Sequence, residues 1–256
     1  MARVENVKIV LTDDGRNADL RGAHVIDATP SAGAAPTIAV NYLIENLKPT
    51  KIAEVKSPYF PHVSIVSEGI ASQPKIELYM YEGSNIKLLF ILRNFVIESV
   101  EGSYAIADKL YHFLVERGAL NYYLLTGLKI TGERGVYVAS SNPNDVRAFL
   151  ESGARLLREL ESIPADKLSS YLLFFYSQKI GKAWLLVTEV VPYFPDPAAA
   201  KELLQVLSKA LGFGIDLDKL EREIAKQREI LEEFQKDYEK MLQERVKRDR
   251  EPLYIG

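Results

Sequence analysis

The stretch "WLLVTEVVPYFPDPAAAKELLQVLSKALG" (Trp184–Gly212) contains one complete strand-and-helix unit, and it decides the fold class of the chain. Its opening run is almost continuously apolar, which is typical of a strand buried on both faces, so we expect Trp184 in the core. Asp196 and Pro197 then provide a helix start, and apolar residues recur at helical spacing until Gly212 ends the helix. This order predicts an α/β protein with helices packed on its sheet.

The same alternation of strand-like and helix-like segments extends through the preceding residues. We predict strands at 23–29, 51–55, 63–67, 121–128 and 135–141, and a hairpin that joins 75–83 to 85–97. We predict helices at 36–47, 103–120 and 142–163, and a strand or buried segment at 169–178. Ser103 is the expected N-cap of the second helix, and Gly118 its stop. The hairpin makes the predicted sheet mixed, covered on both faces by helices.

Composition excludes several classes of function. The chain has 256 residues, a net charge of -3, no cysteine and three histidines, namely His24, His62 and His112. The absence of cysteine excludes disulfides, thiolate metal sites and a cysteine nucleophile, and the histidines show no metal-ligand spacing. The charge gives no general attraction to nucleic acid or membrane, and we find no secretory or membrane-spanning pattern. We therefore expect a cytoplasmic protein with no metal, no nucleic-acid partner and no membrane contact.

The loop "ATPSAGAAP" (Ala28–Pro36) is the candidate ligand-binding segment, because it joins a predicted strand to a helix. It contains one glycine, Gly33, and no lysine, so it matches neither phosphate-binding fingerprint. Tight helix–sheet packing is the simpler explanation for its small residues. His62, which lies in a loop with no local orienting partner, is expected to be a solvated surface residue. No catalytic residues are predicted.

The chain beyond Asp216 differs, because 217–250 contains neither glycine nor proline. A heptad reading from Leu217 gives a mainly apolar stripe in a strongly charged helix. The stripe comprises Leu217, Leu220, Ile224, Leu231, Phe234, Tyr238 and Met241. A helix of this length either packs on its own domain or pairs with other copies of the chain, and we favour oligomerisation.

Two segments resemble the proteasome assembly chaperone family, especially its archaeal members. They are "TIAVNYLIENLKPTKIAEVKSPYFPHVSIV" (37–66) and "WLLVTEVVPYFPDPAAAKELLQVLSKALGFGIDLDKLEREI" (184–224). The resemblance implies a three-layer α/β/α sandwich like that of nucleoside phosphorylases. It also implies a non-enzymatic, ATP-independent homo-oligomer without a cofactor, which acts on α subunits of the 20S proteasome as an assembly chaperone or activator.

The family's binding device is a C-terminal tail of hydrophobic residue, tyrosine and any residue, whose carboxylate pairs with a lysine of the proteasome. In this chain the tail is Leu253, Tyr254, Ile255 and Gly256, so its tyrosine stands one position too early. One residue moves the carboxylate by about 3.5 Å. We expect a core domain at 1–214, a helical arm at 215–251 and an apolar tail at 252–256. Alternatives are a scaffold that buries the tail in its own helix bundle, and a nucleotide- or small-molecule-binding enzyme that uses loop 28–36.

Overall fold

The computed structural model describes residues 7–67, 69–129, 133–159 and 165–226. The strands are β1 (Lys8–Leu11), β2 (His24–Ala28), β3 (Thr50–Lys56), β4 (Ile65–Ser67), β5 (Ile70–Ser72), β6 (Ile76–Glu82), β7 (Lys87–Leu92), β8 (Asn121–Leu128), β9 (Val136–Ser140), β10 (Arg155–Leu156) and β11 (Lys182–Glu189). The α-helices are α1 (Asp13–Asn17), α2 (Ala35–Leu47), α3 (Val100–Glu116), α4 (Arg147–Glu151), α5 (Lys167–Gln178) and α6 (Pro197–Leu211).

Nine of the strands form one mixed sheet in the order β1-β3-β6-β7-β2-β8-β11-β9-β10. The four neighbours β7, β2, β8 and β11 are parallel, and they are flanked by antiparallel pairings on both sides. Strands β4 and β5 form a separate antiparallel hairpin. The predicted α/β class and mixed sheet are confirmed, as is the hairpin of β6 and β7.

The two faces of the parallel strands meet different helices, because successive side chains of a strand alternate between faces. Helix α3 packs against α5 on one face, where Tyr122 of β8 stacks on Tyr176 of α5 at a ring distance of 5.0 Å. Helix α2 packs against α6. On the α6 side, the hydroxyl of Thr188 in β11 donates to the carbonyl of Ala199 at 3.4 Å. The parallel strands are therefore buried on both sides, which explains their nearly continuous apolar sequences.

The segment 169–178, predicted as a strand or buried segment, lies within helix α5, so a strand there is wrong. Asp166 caps this helix by accepting a hydrogen bond from the Ser169 amide at 2.8 Å. Its buried residues Leu168, Leu172, Phe175 and Tyr176 recur at helical spacing. Packing on α3 outweighs the strand preference of the aromatic residues.

Two predicted helix boundaries are also wrong. The N-cap of helix α3 lies four residues earlier than expected, because Ser99 rather than Ser103 accepts a hydrogen bond from an amide of the first turn. Ser103 is buried instead, and its hydroxyl donates to the carbonyl of Ile97 at 3.2 Å. The helix predicted at 142–163 ends at Glu151, since Gly153 adopts a positive φ and the chain turns into β10. Residues 160–163 lie outside the described part of the chain.

The chain divides into two units, one ending at Ile215 and one beginning at Asp216. In the second unit, residues 218–226 are helical, and the Asp216 carboxylate accepts a hydrogen bond from the Asp218 amide at 2.9 Å. Leu220 is fully buried, and Leu217 and Ile224 are partly buried. All three belong to the stripe predicted from the sequence, which stays a prediction.

Candidate functional site

A cluster of charged side chains lies buried at the carboxyl ends of the parallel strands, where α/β enzymes usually bind ligands. Asp27 stands near the end of β2, Arg93 directly follows β7, and Asp166 caps α5. The Arg93 guanidinium donates to Asp27 at 2.6 Å and to Asp166 at 2.8 Å, and it also contacts the Ser169 hydroxyl. The Tyr122 hydroxyl donates to Asp27 at 2.6 Å. All five side chains are buried.

This buried charge cluster is closed, because its members satisfy one another. Burial alone would lower the pKa of Arg93, but the charges of Asp27 and Asp166 outweigh it and raise that pKa above its usual range. Burial, followed by the charge of Asp27, raises the pKa of Tyr122 well above its usual value. The tyrosine therefore stays protonated and the arginine charged. The cluster joins β2, β7, β8 and α5, and its geometry suits a structural tie rather than acid–base catalysis.

The sequence alone does not predict this cluster, although it contains two signals of it. Asp27 interrupts the apolar strand "HVIDA", and Arg93 ends the apolar run "LLFIL". An ionisable residue in such a run is buried only when it is paired. The partners come from distant parts of the chain, so spacing alone does not identify them.

The loop Ala28–Pro36 is used for packing. The Gly127 amide donates to the Ser31 hydroxyl oxygen at 2.9 Å, and the Asp196 amide donates to the Gly33 carbonyl at 2.7 Å. Gly33 adopts φ 67°, and a Cβ atom there would lie 2.7 Å from Cβ of Val190. These contacts favour close packing over phosphate binding as the reason for the loop's small residues.

The segment after β11, "VVPYFPD" (Val190–Asp196), is anchored at its C-terminal end by the side chain of Asp196. Asp196 is buried and caps α6 by accepting from the Ala199 amide at 3.0 Å, which confirms the predicted helix start. The same carboxylate accepts from the Val191 amide at 3.0 Å and pairs with Arg134 at 3.2 Å. One buried carboxylate thus closes the segment into a loop.

Two aromatic rings project from this loop. Tyr193 is 93% exposed and Phe194 is 61% exposed, while the neighbouring Val191 is also exposed. Tyr193 adopts φ 80°, a left-handed conformation that costs free energy in a residue with a Cβ atom. The related "PYFP" sequence at 58–61 behaves differently, because its Phe60 is buried. Exposed aromatic residues on a fixed loop are typical of a surface that contacts another protein.

The residues predicted from sequence as functional fall mostly outside the described residues. Within the oligomerisation stripe, Leu217, Leu220 and Ile224 belong to the described part of the chain. The remaining members lie outside, namely Leu231, Phe234, Tyr238 and Met241 of the stripe and Leu253, Tyr254, Ile255 and Gly256 of the tail. His62 is exposed, as expected, and Trp184 is buried.

The side chains offer no cluster suited to a metal ion in the described ranges. Among residues 7–67, 69–129, 133–159 and 165–226, no group of three or more His, Cys, Asp or Glu side chains could hold one. No helix in this part of the chain is long and apolar enough to cross a membrane. The described residues thus define a mixed α/β protein with a closed ionic cluster and an exposed aromatic loop.

Comparison with known proteins identifies the family: the chain belongs to the PAC2 family, whose model matches residues 25–235. An uncharacterized protein of Methanocaldococcus jannaschii is 24% identical over 257 aligned positions, which cover 98% of each chain. Among solved structures, Pyrococcus furiosus PbaB, an archaeal proteasome activator, matches with a TM-score of 0.80 and 23% identity, over 90% of this chain and 99% of that one. Pyrococcus furiosus PbaA, an archaeal homolog of proteasome-assembly chaperone, matches with a TM-score of 0.74 and 24% identity, over 98% of this chain and all of that one.

Proposed function

We propose that this PAC2-family protein is a non-enzymatic, ATP-independent proteasome assembly chaperone or activator that works in the cytoplasm as a homo-oligomer. The observation that carries the proposal is the fold, which matches those of PbaB and PbaA over nine tenths or more of the chain. PbaB is a proteasome activator, and PbaA is a homolog of a proteasome-assembly chaperone. The TM-scores of 0.80 and 0.74 support a shared fold, and we extend this likeness to a shared partner.

The surface of the described residues supports a protein partner. Tyr193 and Phe194 expose large apolar rings on a loop fixed by Asp196, at a cost in backbone strain. Such strain is expected where an exposed group has a binding role. We assign this loop to the contact with a proteasome α subunit. No comparable argument favours a reaction, because the buried charge cluster is closed.

The helix that begins at 218 is proposed as an oligomerisation arm running to 251, in a chain whose core forms a three-layer α/β/α sandwich of the nucleoside-phosphorylase type. Leu217, Leu220 and Ile224 begin the apolar stripe. A bundle of such arms would present several tails at fixed spacing. Multiple weak tails then bind tightly together because each bound tail raises the effective concentration of the others.

The tail Leu253–Gly256 is proposed to enter pockets of the 20S proteasome α subunits. Its tyrosine stands one residue early, so docking requires a local bend, which the terminal glycine permits. The need for this bend can be tested by changing the length of the tail. Deleting Gly256 alone restores the order hydrophobic residue, tyrosine, any residue at the end of the chain.

The experiment combines archaeal 20S proteasome with the full chain, a chain lacking Gly256 and a chain lacking Leu253–Gly256. Peptide hydrolysis and co-migration are measured, and light scattering gives the mass of each protein. We expect binding by the full chain, tighter binding without Gly256 and loss of binding without the whole tail, at unchanged oligomer mass. Undiminished binding of the chain without a tail contradicts the tail mechanism. If deleting the tail changes the oligomer mass, the tail instead packs within the homo-oligomer.

A further inference from the structure

A cavity of about 800 Å³ lies between the antiparallel end of the sheet and the segment that follows β3. Its volume is within the range of ligand-binding clefts, roughly 300–1,000 Å³. Lys8 of β1 and Lys56 of β3 line it, together with Lys75, Glu54, His62 and Gln73. Serine side chains contribute further polar groups to its wall.

The charges on this sheet face follow an unusual pattern. Lys8 and Lys56 are directly opposite each other in the antiparallel pair of β1 and β3. Side chains at such positions lie on one face close together, and like charges there are destabilising. Among the described residues, neither lysine has an ion-pair partner.

The neighbouring pair on the same face provides the comparison. Glu54 and Glu77 are directly opposite each other in β3 and β6, so they also bring like charges together. Here two lysines offset the repulsion between the carboxylates. Lys51 contacts both carboxylates and lies 2.6 Å from Glu77. Lys75 lies 3.3 Å from Glu54 and 3.0 Å from Glu77. Within the described ranges the glutamate pair is neutralised by lysines, whereas the lysine pair contacts no carboxylate there.

Protection of a sheet edge does not account for both lysines. A charged residue on an edge strand discourages pairing with other chains, and Lys8 on β1 fits that role. Lys56 does not, because β3 lies between β1 and β6 inside the sheet. A position that breaks a local rule, with no compensating charge among the residues that the structure describes, is expected to be functional.

We propose that this cavity binds an acidic peptide segment, whose carboxylates bridge Lys8 and Lys56. A peptide fits better than a small anion because the cavity is much larger than one phosphate group and offers many polar side chains. The adjoining β4–β5 hairpin also exposes Val66 and Ile70, at 67% and 70%, which would contact apolar side chains of the same segment. The proposal is independent of the tail and of the aromatic loop.

The test uses the full chain and a fluorescein-labelled heptapeptide with four glutamates and three apolar residues, followed by fluorescence polarisation. The matched peptide has glutamine in place of every glutamate. We expect saturable binding of the acidic peptide that weakens as salt increases, and at least about tenfold weaker binding of the glutamine peptide. Lys8→Gln and Lys56→Gln should each weaken binding about fivefold.

Two controls make the result specific. The double variant Lys109→Gln, Lys209→Gln changes the net charge as much as the double variant of Lys8 and Lys56, but at exposed helix positions remote from the cavity in sequence. It should bind the acidic peptide as the unaltered chain does. Equal losses in the two double variants would overturn the proposal, as would inorganic phosphate displacing the peptide at equal affinity.

Thermal unfolding separates binding from folding. Without peptide, the Lys8→Gln, Lys56→Gln variant should melt at the same temperature as the unaltered chain or higher at low salt, because a repulsion is removed. A lower melting temperature would mean that the lysines are already paired within the protein, which contradicts an open binding site.

Discussion

The guanidinium of Arg93 lies 2.6 Å from the carboxylate of Asp27, and both side chains are completely buried. The contact joins the adjacent parallel strands β2 and β7 at their carboxyl ends, and Asp166 extends it to α5. Replacing Arg93 leaves two buried carboxylates without their cation. Arg93→Met is therefore expected to lower the free energy of unfolding by about 3–5 kcal/mol, measured by urea denaturation.

The control for this prediction is the same substitution in a solvated ion pair. Arg147 contacts Glu151 at 2.8 Å within one helix, and its side chain is 84% exposed. Arg147→Met should change the stability by less than about 1 kcal/mol. If Arg93→Met and Arg147→Met lower the free energy of unfolding by similar amounts, burial does not explain the contribution of the Arg93 cluster to stability.

Tyr122→Phe addresses the hydrogen bond between Tyr122 and Asp27 without removing charge. The variant keeps the ring stacked on Tyr176 and deletes one donor to a buried carboxylate. We expect a loss of about 1.5–3 kcal/mol, because bonds to charged groups are stronger than neutral ones. A neutral result would indicate that Asp27 is satisfied by Arg93 and Ser169 alone.

Gly33 provides a test of the packed loop. Alanine there keeps the positive φ, which disfavours a Cβ atom, and places that atom 2.7 Å from Cβ of Val190. Gly33→Ala should cost at least about 2–3 kcal/mol of stability, from strain and overpacking together. Gly22→Ala is the matched control: its φ is 75°, and no atom of a described residue lies within 4 Å of the new Cβ. Gly22→Ala should lower the free energy of unfolding only through the strained positive φ, by about 1–2 kcal/mol.

How far sequence alone predicts this fold depends on the range of the interactions. Local signals suffice to predict three elements, because their periods, caps and turns are local: the helix that follows Asp196, the β6–β7 hairpin and the buried strand β8. Helix α5 does not follow from local signals, because its aromatic residues favour strands locally and are held in a helix by packing on α3.

The candidate sites were harder to predict than the fold. The partners of Arg93 lie 66 and 73 positions away, and the opposition of Lys8 to Lys56 exists only in the register of β1 and β3. The sequence predicts a helix start at Asp196, but the bond of its carboxylate to the Val191 amide and the exposure of Tyr193 follow from the loop conformation. Sequence patterns locate elements well, whereas sites assembled from distant strands require the register.

The pH dependence of stability should include a contribution from His24. Burial lowers its pKa below the usual 6.5, and its Nδ1 atom lies 2.8 Å from the Tyr123 hydroxyl oxygen. As the pH falls below about 6.5, the unfolded chain takes up the proton before the folded chain does, so stability decreases until the folded pKa is passed. His24→Gln should therefore flatten the pH profile of the unfolding free energy in this range.

The internal control is the alkaline part of the same profile. Between about pH 8 and pH 9 the imidazole is neutral in both folded and unfolded chains, so the curves for the two proteins should run parallel there. A profile that keeps its full acid slope after His24→Gln would assign the slope to other groups.

The aromatic loop permits a test in which stability and binding change in opposite directions. Tyr193 adopts φ 80° with a ring that is 93% exposed, so Tyr193→Gly relieves strain and loses almost no packing, whereas Tyr193→Ala keeps the strain. The glycine variant should be more stable than the alanine variant by about 1 kcal/mol, measured by urea denaturation.

If Tyr193 contacts a proteasome α subunit, both variants should bind the 20S particle more weakly than the unaltered chain, even though one of them folds more stably. Unchanged co-migration of both variants with the particle would remove the loop from the proposed interface, and equal stability of the two would contradict the strain.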